Sequence, residues 1–343
     1  MSDFIKECES TVLKVQKLLN EKDWKIRYED YANKIHAKLD SIKLSKTLFH
    51  QWEPLYLYMN VTEAKKSLNS DVSFNLRYQG QAVATLKIID TIASISTKKV
   101  EDKAVCISTK EFEAKNKRDF NCLEKLDNCL WNSKEASRFR DHFSKKLKRT
   151  VVSKKRNEEH RIESLLLTEF SKKKKEDKAL CKIQPVKLSK VCRFPMPTPI
   201  SASGSGDVTF SGANGGGIDI LARVRKGGST KLCIIEVKDE NKPSEPPKKA
   251  ILQGLAYAIF IRELLRSKSG DLWWKIYGFE KPIKKSNHLM VACAMPSNKN
   301  NDESFKNEII NFDDESGDTI QLQYIYFEEK NNEIIEIDSS LKK

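Results

Sequence analysis

No stretch of the chain approaches the ~20 consecutive apolar residues of a membrane-crossing helix. The opening "MSDFIKECES" has no basic start leading into an apolar core. A secretory leader is therefore not expected, nor is a membrane partner, and the expected location is the cytoplasm. Eight cysteines are scattered through 343 residues with no CxxC pair, and none has histidines at zinc-ligand spacing. That argues against a structural zinc site and for reduced thiols. Cys233 and Cys293 lie inside apolar runs, where cysteine serves as a small hydrophobe. Histidine is scarce, at five residues, and none accompanies an evident nucleophile, so His-dependent hydrolysis has no support.

What the chain has in excess is positive charge. Its 62 Lys and Arg against 48 Asp and Glu leave a formal net charge of +14, which favours a polyanionic partner such as nucleic acid. The lysines are spread along the whole chain, so part of the excess serves plain solubility. The length accommodates two domains, each with a sizeable core.

Residues 1–60 repeat apolar positions at three- and four-residue spacing and read as helical. "VSFNLRYQGQAVATLKI" alternates like two strands around a Gln79-Gly80 turn, and "KAVCIST" reads as another strand. Residues 110–149 return to a helical pattern with Phe112, Phe120, Leu123, Leu126, Leu130 and Trp131 on the apolar side. The basic run "SKKLKRTVVSKKRNEEH" then suggests a boundary near residue 150. The expected organisation is an N-terminal α+β domain over 1–150, for recognition, dimerisation or partner binding, and a second domain over 151–343.

Within the second part, "RIESLLLTEF" carries a helical stripe, and the Pro-, Gly- and Ser-rich residues 190–217 read as a loop. The apolar runs "HLMVACAM" and "TIQLQYIYF" are expected to complete a mixed sheet. Trp273 and Trp274 stand beside Lys275, Lys281, Lys284 and Lys285, and Arg77 and Tyr78 flank the Gly80 turn. Each group reads first as packing or a turn flank, with nucleic-acid contact as the functional alternative.

The informative stretch is "GGIDILARVRKGGSTKLCIIEVK", residues 216–238. If Gly227 and Gly228 occupy the two central positions of a type I′ turn, counting outward sets Asp219 opposite Glu236. Directly opposed like charges repel, so a cation is expected between them. Lys238, two residues beyond Glu236, falls on the same strand face. Two carboxylates and a lysine on one apolar strand face describe a site for Mg²⁺ or Mn²⁺, with the lysine beside a metal-bound water. The plain alternative is a strand-cap aspartate and an ordinary Glu-x-Lys ion pair.

The spacing D-x(16)-E-V-K resembles the core of the PD-(D/E)xK nuclease superfamily. In the following helix, Gln253 and Tyr257 stand four residues apart on one face. "QGLAY" there resembles the Gln-x-x-x-Tyr motif of the RecB-like branch. Ile218 stands where the superfamily's name has Pro, and nothing in 1–150 shares the likeness. The resemblance implies a restriction-endonuclease-like fold, a mixed sheet flanked by helices, so that the chain as a whole is α+β or α/β. It also implies that Asp219, Glu236 and the Val237 carbonyl bind Mg²⁺ together with an acidic residue from a preceding helix. Glu163 is the first choice for that residue, with Glu169 and Glu159 behind it. Lys238 would position the attacking water, and Gln253 and Tyr257 would orient the lysine, the waters or the scissile strand. The expected function is a DNA endonuclease of a bacterial restriction or anti-phage defence system, acting as a homodimer or with a defence-complex partner protein. The alternatives are a repair or recombination nuclease, and a non-catalytic nucleic-acid-binding or assembly protein on the same fold.

Overall fold

The computed structural model describes residues 3–47, 49, 54–59, 72–89, 92–96, 129–144, 155–172, 182–203, 207–212, 216–225, 229–312 and 314–342. Six sequence expectations lie wholly or partly outside them: the "KAVCIST" strand, the helix over 110–149, the basic run over 144–160, the Gly227-Gly228 turn, the last part of the helical 1–60 and parts of the Pro-, Gly- and Ser-rich loop. The class is mixed α+β. The chain divides into two compact units, but not by one cut near residue 150. One unit comprises 1–33, 165–186 and 195–343, and the other 34–164 and 187–194.

Helices α1 (Asp3–Glu21) and α2 (Lys25–Ser45) open the chain, as the periodicity predicts. The helical reading of residues 1–60 ends too late, because Leu55–Tyr58 form strand β1. In the second unit, β2 (Val72–Tyr78) and β3 (Gln81–Ile89) make the expected hairpin, with Tyr78 paired to Gln81. Gln79 and Gly80 both take positive φ (47° and 78°), as a two-residue type I′ turn requires. Strand β4 (Ile92–Ser96) follows. Leu130 and Trp131 are not helical: Ser94 bridges Leu130, and the Trp131 N–H donates to the Ala93 carbonyl at 2.8 Å. The helix predicted there begins later, as α3 (Lys134–Ser144). Helix α4 (Lys155–Ser171) carries the "RIESLLLTEF" stripe.

After β5 (Ile183–Pro185), which belongs to the first unit, β6 (Lys187–Leu188) and β7 (Cys192–Arg193) complete the second unit's sheet, ordered β4-β3-β2-β1-β7-β6. This return of 187–194, with the membership of 1–33 in the first unit, is why no single boundary separates the units. The Pro- and Gly-rich segment is more ordered than a loop. Strand β8 (Met196–Pro197) pairs with β11 (Gly217–Ile218), and β9 (Ile200–Ala202) pairs with β10 (Val208–Phe210).

The first unit is built on a seven-stranded sheet. It contains β12 (Ile220–Val224), β13 (Lys231–Val237), β14 (His288–Pro296), β15 (Ile309–Asn311), β16 (Thr319–Lys330) and β17 (Glu333–Ser339), besides β5. The order is β15-β16-β14-β13-β12-β5, with β17 beside β16. β13, β14 and β16 run parallel and the other pairings are antiparallel. Residues 232–237 of β13 are all buried, the apolar run expected of a central strand covered on both faces. The parallel step from β13 to β14 needs a crossover, which α5 (Pro247–Arg266) provides, followed by α6 (Gly270–Ile276).

Helix α5 begins with Pro at its first position, where the missing N–H costs nothing. It is apolar nearly all round because it is covered twice, by β13 and β14 and by α1. The α1 stripe of Phe4, Cys8, Val12, Val15 and Leu19 is buried. An aromatic cluster extends this core: Phe260 lies 5.3 Å from Trp24 and 5.0 Å from Tyr28, ring centre to ring centre. Trp273 is fully buried, and its Nε1–H donates to the Tyr28 carbonyl at 3.1 Å. Trp273 is thus a packing residue.

Candidate functional site

The β12–β13 register brings the site together. Ile220 pairs with Ile235 and Val224 with Lys231, so the ladder extrapolates to Asp219 opposite Glu236, the register predicted from the glycine turn. Asp219 sits at the break between β11 and β12, half-buried. Its Oδ2 accepts the Val237 N–H at 2.8 Å, which ties it to the end of β13. An oxygen of Asp219 lies within 4.8 Å of one of Glu236. Oxygens trans to one another on a single Mg²⁺ stand ~4.2 Å apart, from metal–oxygen distances of about 2.1 Å, so a small adjustment would seat both on one ion. The donors are hard carboxylate oxygens, the type Mg²⁺ and Mn²⁺ take.

Glu236 is 2% exposed and Lys238 8%. Lys238 Nζ donates to Glu236 Oε1 at 2.8 Å, confirming that the two side chains share a face. Its N–H is fixed by the Ala294 carbonyl at 2.9 Å. Burying an ion pair costs desolvation that its attraction barely offsets, so this pair is poor evidence of stabilisation. Charged groups placed against such a cost are a mark of functional sites.

Helix α5 closes the site from the side. Gly254 permits the approach: a Cβ there would stand 2.8 Å from Val291 Cγ2 and 3.4 Å from Glu236 Cβ. One turn of helix places half-buried Gln253 and buried Tyr257 on the same side, joined by a side-chain hydrogen bond. The Tyr257 hydroxyl also accepts the Ala202 N–H at 3.4 Å, so the β9–β10 segment lies against it. Burial pushes the Tyr257 pKa up, and the nearby charges of Glu236 and Asp219 add to the rise.

One contributor escaped the sequence reading. Glu245, in the proline-bounded loop after β13, brings Oε1 to 3.8 Å from Lys238 Nζ. That loop is held by Asn241, which donates to the Pro296 carbonyl at 3.3 Å and to Asn301 Oδ1 at 2.9 Å. Its partners lie more than fifty residues away, beyond any local pattern. As for the glutamates of α4, Glu163 and Glu159 stand on the half of the helix that belongs to the second unit. Glu163 lies 3.4 Å from His160 Nδ1. Glu169 is turned to Lys172 at 2.8 Å. Among the described residues, no helix is long and apolar enough to cross a membrane.

No family model, no curated protein and no solved structure matches the chain.

Proposed function

We propose that the unit built on β12, β13 and α5 is a metal-dependent nuclease that hydrolyses phosphodiester bonds, with DNA as its substrate. The observation that carries the reading is the meeting of Asp219 and Glu236 at the buried end of β13, with Lys238 on Glu236. The resemblance to the PD-(D/E)xK superfamily in motif spacing and order supports it. So does a parallel β13–α5–β14 crossover that carries Glu-x-Lys on the strand and Gln-x-x-x-Tyr on the helix.

Asp219, Glu236 and the Val237 carbonyl would hold Mg²⁺ or Mn²⁺, and the bound ion would make water nucleophilic near neutral pH and offset charge on the phosphate. Lys238, held at the mouth by Glu236 and Glu245, would orient the attacking water and donate to the developing oxyanion. Gln253 is tied to Tyr257 and so is preorganised to donate to a substrate oxygen. The Val237 N–H keeps Asp219 aimed along the strand end.

Cleavage of supercoiled plasmid, linear duplex and single-stranded DNA, with Mg²⁺, Mn²⁺ or EDTA and wild type beside Glu236→Ala, tests this. Metal-dependent cutting that disappears in the variant is the expected result. Wild-type protein that binds these DNAs and cuts none of them with either metal would overturn the enzymatic reading in favour of a binding module.

A further inference from the structure

A cavity opens at the end of β13 opposite the carboxylates, seven positions from Lys238 and so ~23 Å away at about 3.3 Å per strand residue. Its volume, about 430 Å³, falls in the range of small-ligand pockets, roughly 300–1,000 Å³. Among the described residues, four cationic side chains line it, Arg223, Lys231, Lys281 and Lys284, against the single carboxylate of Glu280. Burial and the neighbouring Arg225 charge pull the Lys231 pKa below its usual value. A negative charge from a ligand would relieve that repulsion.

One wall is aromatic. The Trp274 ring stacks on Phe279 at 3.6 Å with an interplanar angle of 8°, and its Nε1–H donates to the Lys281 carbonyl at 2.9 Å. Half-exposed and held by both contacts, it is a preformed stacking surface. Trp24, Trp131 and Trp273 are buried.

Two residues of the lining also carry buried donors with nothing to donate to. Asn287 is 4% exposed. Its backbone is pinned, with its N–H on Asp318 Oδ1 at 2.7 Å and its carbonyl accepting the Thr319 N–H at 2.9 Å, yet its side-chain Nδ2 makes no hydrogen bond. Arg223 spends its two terminal nitrogens on Gly278 and Gln184 while its buried Nε makes none. Buried donors left unmade are costly and call for an explanation.

We propose that this cavity binds a nucleoside phosphate, with the base against Trp274 and the phosphate among Lys231, Lys281 and Lys284. A bare phosphate would leave the aromatic wall unused, and an apolar ligand would bury against four cations. The proposal does not depend on the nuclease reading, which concerns the other end of the strand.

The test is a titration of the full chain, without divalent metal, by tryptophan fluorescence and calorimetry against AMP, ATP, adenosine, inorganic phosphate and a short single-stranded oligonucleotide. The expected result is saturable binding of a nucleotide at least ten-fold tighter than of adenosine or phosphate. Lys231→Met should weaken it at least ten-fold. Trp274→Phe should remove the fluorescence change, and Glu236→Ala should bind as wild type. Should Lys231→Met prove unfolded by circular dichroism, Lys284→Ala, at an exposed position, replaces it with the same expected direction. No saturable nucleotide binding in the millimolar range would overturn the proposal. So would phosphate binding as tightly as nucleotide, or an oligonucleotide that outcompetes the mononucleotide in a Lys231-dependent way.

Discussion

At its carboxyl end β13 sets Glu236 opposite Asp219 and passes into Lys238. At its amino end it sets Lys231 among Arg223, Lys281 and Lys284. Between Lys231 and Glu236 lie four residues that are all buried and apolar, so one strand supports two polar sites that share no side chain. The two ends satisfy their charges differently. The acid end gathers carboxylates around one buried ammonium, an arrangement completed by a cation. The basic end gathers cations and unmet donors, an arrangement completed by an anion. The sign of the missing charge distinguishes them. A substitution at either end should leave the other working.

The largest effect is expected from Lys238→Ala. It removes the donor proposed to orient water, which should lower cleavage by about 10²–10³-fold while DNA binding persists. It also leaves Glu236 buried without the ammonium at 2.8 Å, a loss on the order of 3 kcal/mol measurable by urea titration. The nucleotide-induced Trp274 signal at the far end should not change. If DNA binding were lost along with cleavage, Lys238 would be a phosphate anchor instead.

Next is Gly254→Ala. Its new Cβ meets Val291 Cγ2 at 2.8 Å and crowds Glu236 Cβ at 3.4 Å. Overpacking of about 1–3 kcal/mol opposes a helix-propensity gain of about 1 kcal/mol, so a net loss of order 1 kcal/mol is expected. Displacing Glu236 should lower cleavage with nucleotide affinity unchanged. An unchanged cleavage rate would show that helix α5 does not set the position of the glutamate.

The site was legible wherever it was local. The glycine turn, the alternation of strand faces and the four-residue spacing on α5 sufficed to put Asp219, Glu236, Lys238, Gln253 and Tyr257 together, because each rests on a backbone period within one hairpin or one helix. What was not legible depends on long-range packing. Helix α1 covers α5, Asn241 gathers partners from 296–301, and 187–194 leaves one sheet to complete the other. The Pro- and Gly-rich segment misled for a related reason. Its strands are two or three residues long and are held by partners such as Gly216, whose N–H reaches the Ile200 carbonyl at 3.0 Å, too short a run for any alternation to show. The basic end was half seen: Trp274 and its lysines were evident, but Arg223 and Asn287 join them only through the fold.

A smaller effect should decide between the glutamates of α4. The Glu163 carboxylate already faces His160 at 3.4 Å, so Glu163→Gln is expected to change cleavage less than two-fold. Glu159→Gln, on the same half of the helix, is the comparison, and a loss of about ten-fold, smaller than the roughly 10²–10⁴-fold of a general acid or base, would single it out as a carboxylate that cleavage uses. Equal rates for the two variants would leave the acid end with Asp219 and Glu236 as its functional carboxylates.

The smallest effect concerns Tyr257 and separates its charge from its hydrogen bonds. Its folded pKa is raised above the ordinary value of 10.0, by burial first and then by Glu236 and Asp219. Below pH 10 the phenol is neutral in both the folded and unfolded chain, so it contributes no pH dependence. Above pH 10 the unfolded chain releases this proton while the folded chain keeps it, and folding stability falls as pH rises. Tyr257→Phe should therefore flatten the alkaline loss of stability slightly, the larger part being left to Tyr28, Tyr277, Tyr324 and Tyr326 and to the thiols of Cys8, Cys192, Cys233 and Cys293, whose pKa values burial also raises. At neutral pH the same substitution breaks the bonds to Gln253 and to the Ala202 N–H, a cost of about 1 kcal/mol. Cleavage by Tyr257→Phe that keeps the wild-type pH profile at a reduced rate would assign the hydroxyl a positioning role. A profile that shifts would mean that the phenol exchanges a proton during the reaction, which its raised pKa opposes.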